Sequence, residues 1–207
     1  MSRDLAPVLE NVRKAYRLLY LYQRRVLDLS EAVGQKLGMQ FAWWGPARFD
    51  RPAKDYANPA QRSAWEMLPL VESLISYCPP ASPASGQWML TVYHVADSGS
   101  VRAMGPEPDP LAFPAAESCR SELKLFTIIV RKGNADDWGA LWDKTEYPKD
   151  DTTPWIGTVS GCDVLALLRT FDLASLGDET ALEAAAHALQ AAVVAAYPRA
   201  QVYMGKL

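Results

Sequence analysis

The two histidines are the first candidates for acid–base chemistry or metal binding. His94 lies in a strand-like segment and His187 in a helical one, where a histidine is more often a packed core or boundary residue than a catalytic base. His94 and Asp97 form an H-x-x-D pattern that can bring two metal ligands together where a chain turns. No third ligand accompanies them in the sequence, so we predict neither a catalytic residue nor a metal site.

Motifs for nucleophilic and phosphate chemistry are missing from the sequence. The stretch GTVSGC at 157–162 lacks the G-x-S-x-G spacing of a nucleophile elbow. The sequence contains no P-loop of the form G-x-x-x-x-G-K-[ST], and no G-x-G-x-x-G follows a strand, so no nucleotide cofactor is expected. Cys78, Cys119 and Cys162 are odd in number and widely spaced, which argues against a disulfide framework or a zinc knuckle. Their pattern suits a reducing cytoplasm.

Carboxylates leave one enzyme hypothesis open. Glu66, Asp172 and Glu179 are far apart in the sequence and would converge only through the tertiary structure. Carboxylates that bind a divalent cation or transfer protons must meet within a few ångströms. A metal-dependent hydrolase or nuclease is therefore the first alternative to a binding protein.

Large aromatic and basic residues gather between residues 43 and 65. Rings beside guanidinium groups supply contact area at low conformational cost, and Arg stacks on Trp and Tyr. We predict a partner-binding surface composed of Trp43, Trp44, Arg48, Arg51, Tyr56 and Trp65. Binding of single-stranded nucleic acid by this 43–65 loop is a second alternative. A third is structural: the tryptophans, pointing to opposite faces of one strand, anchor the loop on the sheet.

The charge balance narrows the class of partner. Residues 1–62 carry eleven basic against six acidic side chains, and residues 63–207 carry ten against eighteen. This acidic majority disfavours a nucleic-acid binder of the usual basic kind. The amino-terminal residues do not form a secretory signal, and no run reaches the roughly 18 apolar residues of a membrane helix. We therefore expect a cytoplasmic protein whose partner is another protein.

The clearest periodic signal predicts an amphipathic helix over residues 4–37. Ser2 or Asp4 suits its start and Gly38 its end, while Gly34 weakens its last turn. Apolar residues recur every seven positions in two rows, which form a seam at helical spacing. The seam consists of Leu5, Val12, Leu19, Val26 and Val33 with Val8, Ala15, Tyr22 and Leu29.

The length of this helix suggests a second subunit. It would span about 50 Å, whereas a compact chain of this size has a diameter of about 43 Å, so the helix must bend, break or project. LLYLY at 18–22 is apolar nearly all round and needs cover on more than one side. We predict a homodimer whose interface includes Leu19, Tyr22 and Val26. In the other interpretation, the helix lies across its own sheet under a loop.

We predict one α+β domain over residues 1–207. After the long helix, residues 39–207 are expected to form a body with a mostly antiparallel sheet of four to six strands, on which both terminal helices pack. Strand patterns that are apolar on both faces occupy 87–96 and 122–131. Residues 162–173 have a similar pattern, but their length also fits a helix. Residues 39–45 are predicted to be extended, 64–77 fit a helix or a strand, and AQVYMGKL at the carboxyl end suits an edge strand. Asn134 is expected to cap a short helix at 135–144, and Asp178 a helix at 178–197.

These features favour a non-enzymatic cytoplasmic protein that binds another macromolecule, such as an accessory, inhibitor or immunity-type protein. The basis is the long helix, the aromatic and basic loop, and the missing catalytic motifs. No cofactor is expected.

Overall fold

The computed structural model describes residues 6–47, 71–102 and 113–202. A six-stranded antiparallel sheet packs against a long amino-terminal helix and a carboxy-terminal helix, which confirms the predicted α+β class. The elements are α1 (Ala6–Lys36), β1 (Gln40–Pro46), β2 (Glu72–Cys78), β3 (Trp88–Val95), α2 (Ser98–Arg102), β4 (Glu122–Lys132), α3 (Trp138–Trp142), β5 (Trp155–Val159), β6 (Cys162–Asp172) and α4 (Glu179–Ala196), with short 3-10 turns at Ala116–Ser118 and Leu173–Ser175.

The sheet has the order β1-β2-β3-β4-β6-β5, so β1 and β5 form its edges. Each neighbouring pair of strands is antiparallel. The central strands β3 and β4 are buried on both faces over most of their length, as their two-faced apolar pattern predicts. His94 of β3 pairs with Ser73 of β2 and with Leu123 of β4, near one end of the sheet.

Two hydrophobic cores cover the two faces of the sheet. On one face, α1 and α4 pack on alternate residues of the strands, including Trp88, Leu125 and Leu165. On the other face, α3 and its flanking segments pack on the intervening residues, including Phe126 and Ile128. We call the sheet together with α3 and α4 the body. The carboxy-terminal half of α1 packs on this body through Val26, Leu29 and Val33, and Leu37, just after the helix, is buried with them.

Local sequence signals fix the helix ends. Gly38 has a φ of 61° and lies two residues after the end of α1 at Lys36. The Gly38 and Met39 N–H groups donate to the carbonyls of Gln35 and Gly34, which closes the last turn. Asp178 accepts a hydrogen bond from the Ala181 N–H at 2.8 Å and caps α4, as predicted.

The structure corrects the prediction for the short helix. It occupies only Trp138–Trp142, and its cap is Asp137 rather than Asn134. The Asp137 carboxylate accepts from the Ala140 N–H at 2.8 Å. Asn134, Asp136 and Asp137 all have side chains that can cap a helix, and only the backbone path decides which of them is placed to accept.

Other differences concern strands. The ambiguous 64–77 segment contains β2, which begins at Glu72, while residues 64–70 lie outside the described parts. The sequence did not indicate β5; its hairpin with β6 turns at Ser160 and Gly161, whose φ values of 48° and 80° suit a two-residue turn. GTVSGC is thus a hairpin. The expected terminal strand is not formed at residues 201–202, and 203–207 are not described.

Candidate functional site

The amino-terminal half of α1 extends away from the body. Residues 7–21 are helical and exposed at every position, and at 1.5 Å per residue they cover about 22 Å. We call this segment the apolar extension, because eight of its large apolar side chains are between 44% and 68% exposed. They are Val8, Leu9, Val12, Tyr16, Leu18, Leu19, Tyr20 and Leu21.

The seam of α1 changes environment at Tyr22. Val26 and Val33 are 1% and 0% exposed against the body, whereas Val12 and Leu19 on the same seam are 45% and 44% exposed. Val26 is therefore enclosed by its own chain and is not available to a second subunit, contrary to the predicted interface. Leu19 remains accessible, and Tyr22 is partly buried.

Tyr22 is held by a buried histidine. Its hydroxyl oxygen lies 2.7 Å from Nε2 of His94, and Nδ1 of His94 lies 3.4 Å from the Ser73 hydroxyl. Burial lowers the pKa of His94 to about 4, because the low-dielectric interior disfavours the imidazolium. Burial likewise raises the pKa of Tyr22. His94 is thus neutral at neutral pH and serves to seat α1 on the sheet.

Polar contacts fix the flank of α1 that faces α4. The Arg25 guanidinium donates to the carbonyl oxygens of Leu176 and Gly177, the latter at 3.0 Å. Lys36 pairs with Glu183 at 2.8 Å and with Glu179 at 3.2 Å. Together with the buried seam, these contacts hold α1 in one orientation, so the apolar extension leaves the body in a defined direction.

The edge strand β1 adds exposed aromatic area beside α1. Phe41 and Trp44 are 60% and 58% exposed, and we call this pair the aromatic edge. Phe41 contacts the ring of Tyr77 edge-on, and Trp44 pairs with Ile75, which belongs to the core under α1. Trp43 packs instead on the core of the opposite face. The two tryptophans therefore do point to opposite faces.

An open groove of about 670 Å³ lies where α1 meets the segment between β6 and α4. Its charged lining residues are Arg25, Arg120 and Asp172. Arg25 bonds to carbonyl oxygens and Asp172 accepts the N–H of Ala174, so both are used in holding the fold. The groove therefore lies at the junction of α1 with the body, and two of its three charged lining residues stabilise that junction.

The amino-acid sequence is similar to that of a known protein family. The model of the PM0109 family matches residues 2–197. The chain belongs to the PM0109 family. It is similar to an uncharacterized protein of Pasteurella multocida (strain Pm70), with 26% identity over 149 residues that cover 70% of this chain and 72% of that protein. No solved structure matches this chain.

In this PM0109 family member, the candidate metal-binding carboxylates that the structure describes have structural partners. Asp172 caps a turn and Glu179 pairs with Lys36, while Glu66 lies outside the described residues. Within residues 6–47, 71–102 and 113–202, no group of three His, Cys, Asp or Glu side chains is placed to hold a metal ion. Burial raises the pKa of Cys78 to about 12, which disfavours a thiolate there.

The structure describes two of the six residues that we predicted to bind a partner. Trp44 is exposed and Trp43 is partly buried. Arg48, Arg51, Tyr56 and Trp65 lie outside the described residues. Sequence reasoning did not single out Phe41, although its place in an edge strand beside α1 is as exposed as that of Trp44; only strand order could have shown this.

None of the helices in the described parts of the chain is both long and apolar enough to span a bilayer.

Proposed function

We propose that this protein acts by binding another protein, through the apolar extension of α1 and the adjacent aromatic edge. One observation carries the proposal: residues 7–21 are helical, yet their large apolar side chains face solvent. A helix of this kind gains most of its stability in proteins by packing its apolar face. A partner that covers the extension supplies that packing.

The size and composition of this surface support a protein partner. Monomeric proteins rarely expose contiguous apolar patches larger than a few hundred Å² unless the patch has a function. Tyr and Trp, which are enriched among the residues that dominate binding energy, occur here as Tyr16, Tyr20 and Trp44. Arg13 and Arg17 lie exposed on the polar side of the extension and favour a partner with acidic groups at the rim.

The proposal includes a non-enzymatic role in the cytoplasm, of the accessory, inhibitor or immunity type. All three cysteines are free in the structure. Unpaired thiols are typical of reducing compartments, which supports a cytoplasmic location.

Affinity capture tests the proposal. The tagged protein and two variants, Trp44→Ala and Tyr20→Glu with Leu21→Glu, are recovered from the cells that naturally produce the chain, and bound proteins are quantified by mass spectrometry. We expect at least one protein to be retained by the wild type and depleted tenfold or more in both variants. The matched control is Gln35→Ala, an exposed change in the last turn of α1 that should retain the partner.

Because the changed residues are exposed, none of the variants should alter the thermal unfolding of the protein. If the wild type and both variants retain the same proteins in equal amounts, the proposed surface is wrong.

A further inference from the structure

The exposed part of the seam has the positions of a coiled-coil helix. In a heptad labelled a to g, Val12 and Leu19 occupy a, while Val8 and Ala15 occupy d. The same heptad continues into Val26, Leu29 and Val33, which are buried against the body. The second half of the seam therefore packs on the body, whereas the first half is exposed to solvent; we call this exposed half the open seam.

The flanks of the open seam are uncharged. Leu9 and Tyr16 occupy the e positions, and Asn11 and Leu18 the g positions. All charged residues between 8 and 21 fall on the outer b, c and f positions: Glu10, Arg13, Lys14 and Arg17. Glu10 and Lys14 pair with each other at 2.6 Å on that outer side.

Charges at e and g decide which helices pair and in which orientation. This helix is basic overall, so two copies would repel one another if those charges flanked the seam. Because they lie on the outside, two copies of the helix can approach without placing like charges in contact.

We propose that a second copy of this chain covers the open seam, with the two apolar extensions packed antiparallel. Val8 then meets Leu19 of the second copy, and Val12 meets its Ala15. The inference rests on the proposed function, since it assigns one strip of the same surface to a homodimer. Tyr20 and Leu21 occupy b and c positions and stay outside the helix pair, where they remain available to another protein.

The orientation follows from the position of the body. The body meets α1 on its seam side from Tyr22 onward. A parallel pair would bring the two bodies to the same end of the helix pair and on its inner side, where they would collide. An antiparallel pair places them at opposite ends.

The contact area predicts a reversible dimer. Six large side chains at a, d, e and g positions of each extension are 44% to 68% exposed. At about 100 Å² each they offer on the order of 600 Å² per copy, which is the lower end of specific protein–protein interfaces. The small Ala15 side chain at the centre allows close approach of the two helices.

Sedimentation over a range of concentrations gives the first test. We expect the wild type to dimerise with rising concentration, and Leu19→Glu to raise the dissociation constant at least tenfold. Arg17→Glu, which changes charge in the same helix but at an outer f position, should leave the dissociation constant within twofold. Both residues are exposed, so both variants should keep the wild-type thermal unfolding at protein concentrations low enough for the wild type to be monomeric.

Disulfide trapping tests the register. In a Cys119→Ser background, Val8→Cys with Leu19→Cys should form a covalent dimer on mild oxidation. The two positions are about 16 Å apart in one helix, too far to join within one chain. The control is Glu10→Cys with Arg17→Cys. These two positions also lie opposite each other in the proposed antiparallel register, but they are on the outer side of the helices, so this variant should cross-link at least tenfold less.

Three results would overturn the inference. The first is a wild type that stays monomeric up to its solubility limit. The second is a Leu19→Glu variant whose unfolding temperature is lower than that of the wild-type monomer at the same low concentration, which means that the chain covers its own seam. The third is a monomer that binds anionic phospholipid vesicles and loses that binding in Leu19→Glu. None of these affects retention of a partner by Tyr20, Leu21 and Trp44, so failure of the dimer is distinct from failure of the proposed function.

Discussion

The hydroxyl oxygen of Tyr22 lies 2.7 Å from Nε2 of His94, where α1 passes from the body into the apolar extension. On one side of this contact the seam of α1 is buried, and on the other side it faces solvent. A polar pair therefore marks the boundary between the half of α1 that holds the fold and the half that we assign to binding.

Stability should depend on pH through His94. Burial lowers its pKa in the folded protein to about 4 from about 6.5, so the unfolded chain binds the proton more readily. The contribution of His94 is therefore complete above about pH 6.5 and is lost as the pH falls towards 4, by at most about 3 kcal/mol. Urea unfolding between pH 7 and 5, a window above most carboxylate titrations, measures this slope.

The pH dependence of stability can be assigned to His94 without mutating this buried residue. The chain has two histidines, and His187 is exposed on α4. His187→Gln should retain the pH slope in full. If that variant abolishes the slope, or if folding stability is flat over this window, His94 does not act as argued.

Removing the Tyr22 hydroxyl should destabilise the protein. Tyr22→Phe leaves Nε2 of the buried His94 without its partner, at a cost of about 1–3 kcal/mol in the free energy of unfolding. Tyr20→Phe, two residues away and 67% exposed, should change it by less than about 0.5 kcal/mol. Equal effects in denaturant titrations of the two variants would refute a specific role for the Tyr22–His94 contact.

Gly34→Ala should also destabilise the protein, against the usual preference of helices for alanine. A Cβ on Gly34 would lie 2.5 Å from Cδ1 of Tyr77, whose ring is buried under α1. The resulting overpacking costs about 1–3 kcal/mol and outweighs the roughly 1 kcal/mol that alanine contributes by helix propensity.

Gln35→Ala is the matched control for that change, because Gln35 is the exposed neighbour in the same turn. It should be close to neutral in thermal unfolding. A stabilised Gly34→Ala variant would mean that the Tyr77 ring is free to move aside.

Much of the fold follows from short-range signals in the sequence. The heptad rows predict α1, and Gly38 and Asp178 predict helix ends, because capping depends on a few neighbouring residues. The two-faced apolar pattern of residues 122–131 predicts a central strand for the same reason: the side-chain period of a strand is local.

Other features required partners distant in the chain. In the sequence Gly34 only weakens the end of α1; the structure shows that it makes room for Tyr77, which lies more than forty residues away. Likewise, the short β5 carries a weak signal alone and becomes a strand by pairing with β6.

The sequence by itself determined that α1 is one long helix with a continuous apolar seam, since helical periodicity needs no knowledge of what the helix touches. Only the tertiary structure decided which half of the seam is buried. The end of the sheet at His94 and Ser73 sets that division, because burial ends where the strands that supply it end. Thus Val26 became a core residue and Leu19 a surface residue, although the two share one row of the same helix.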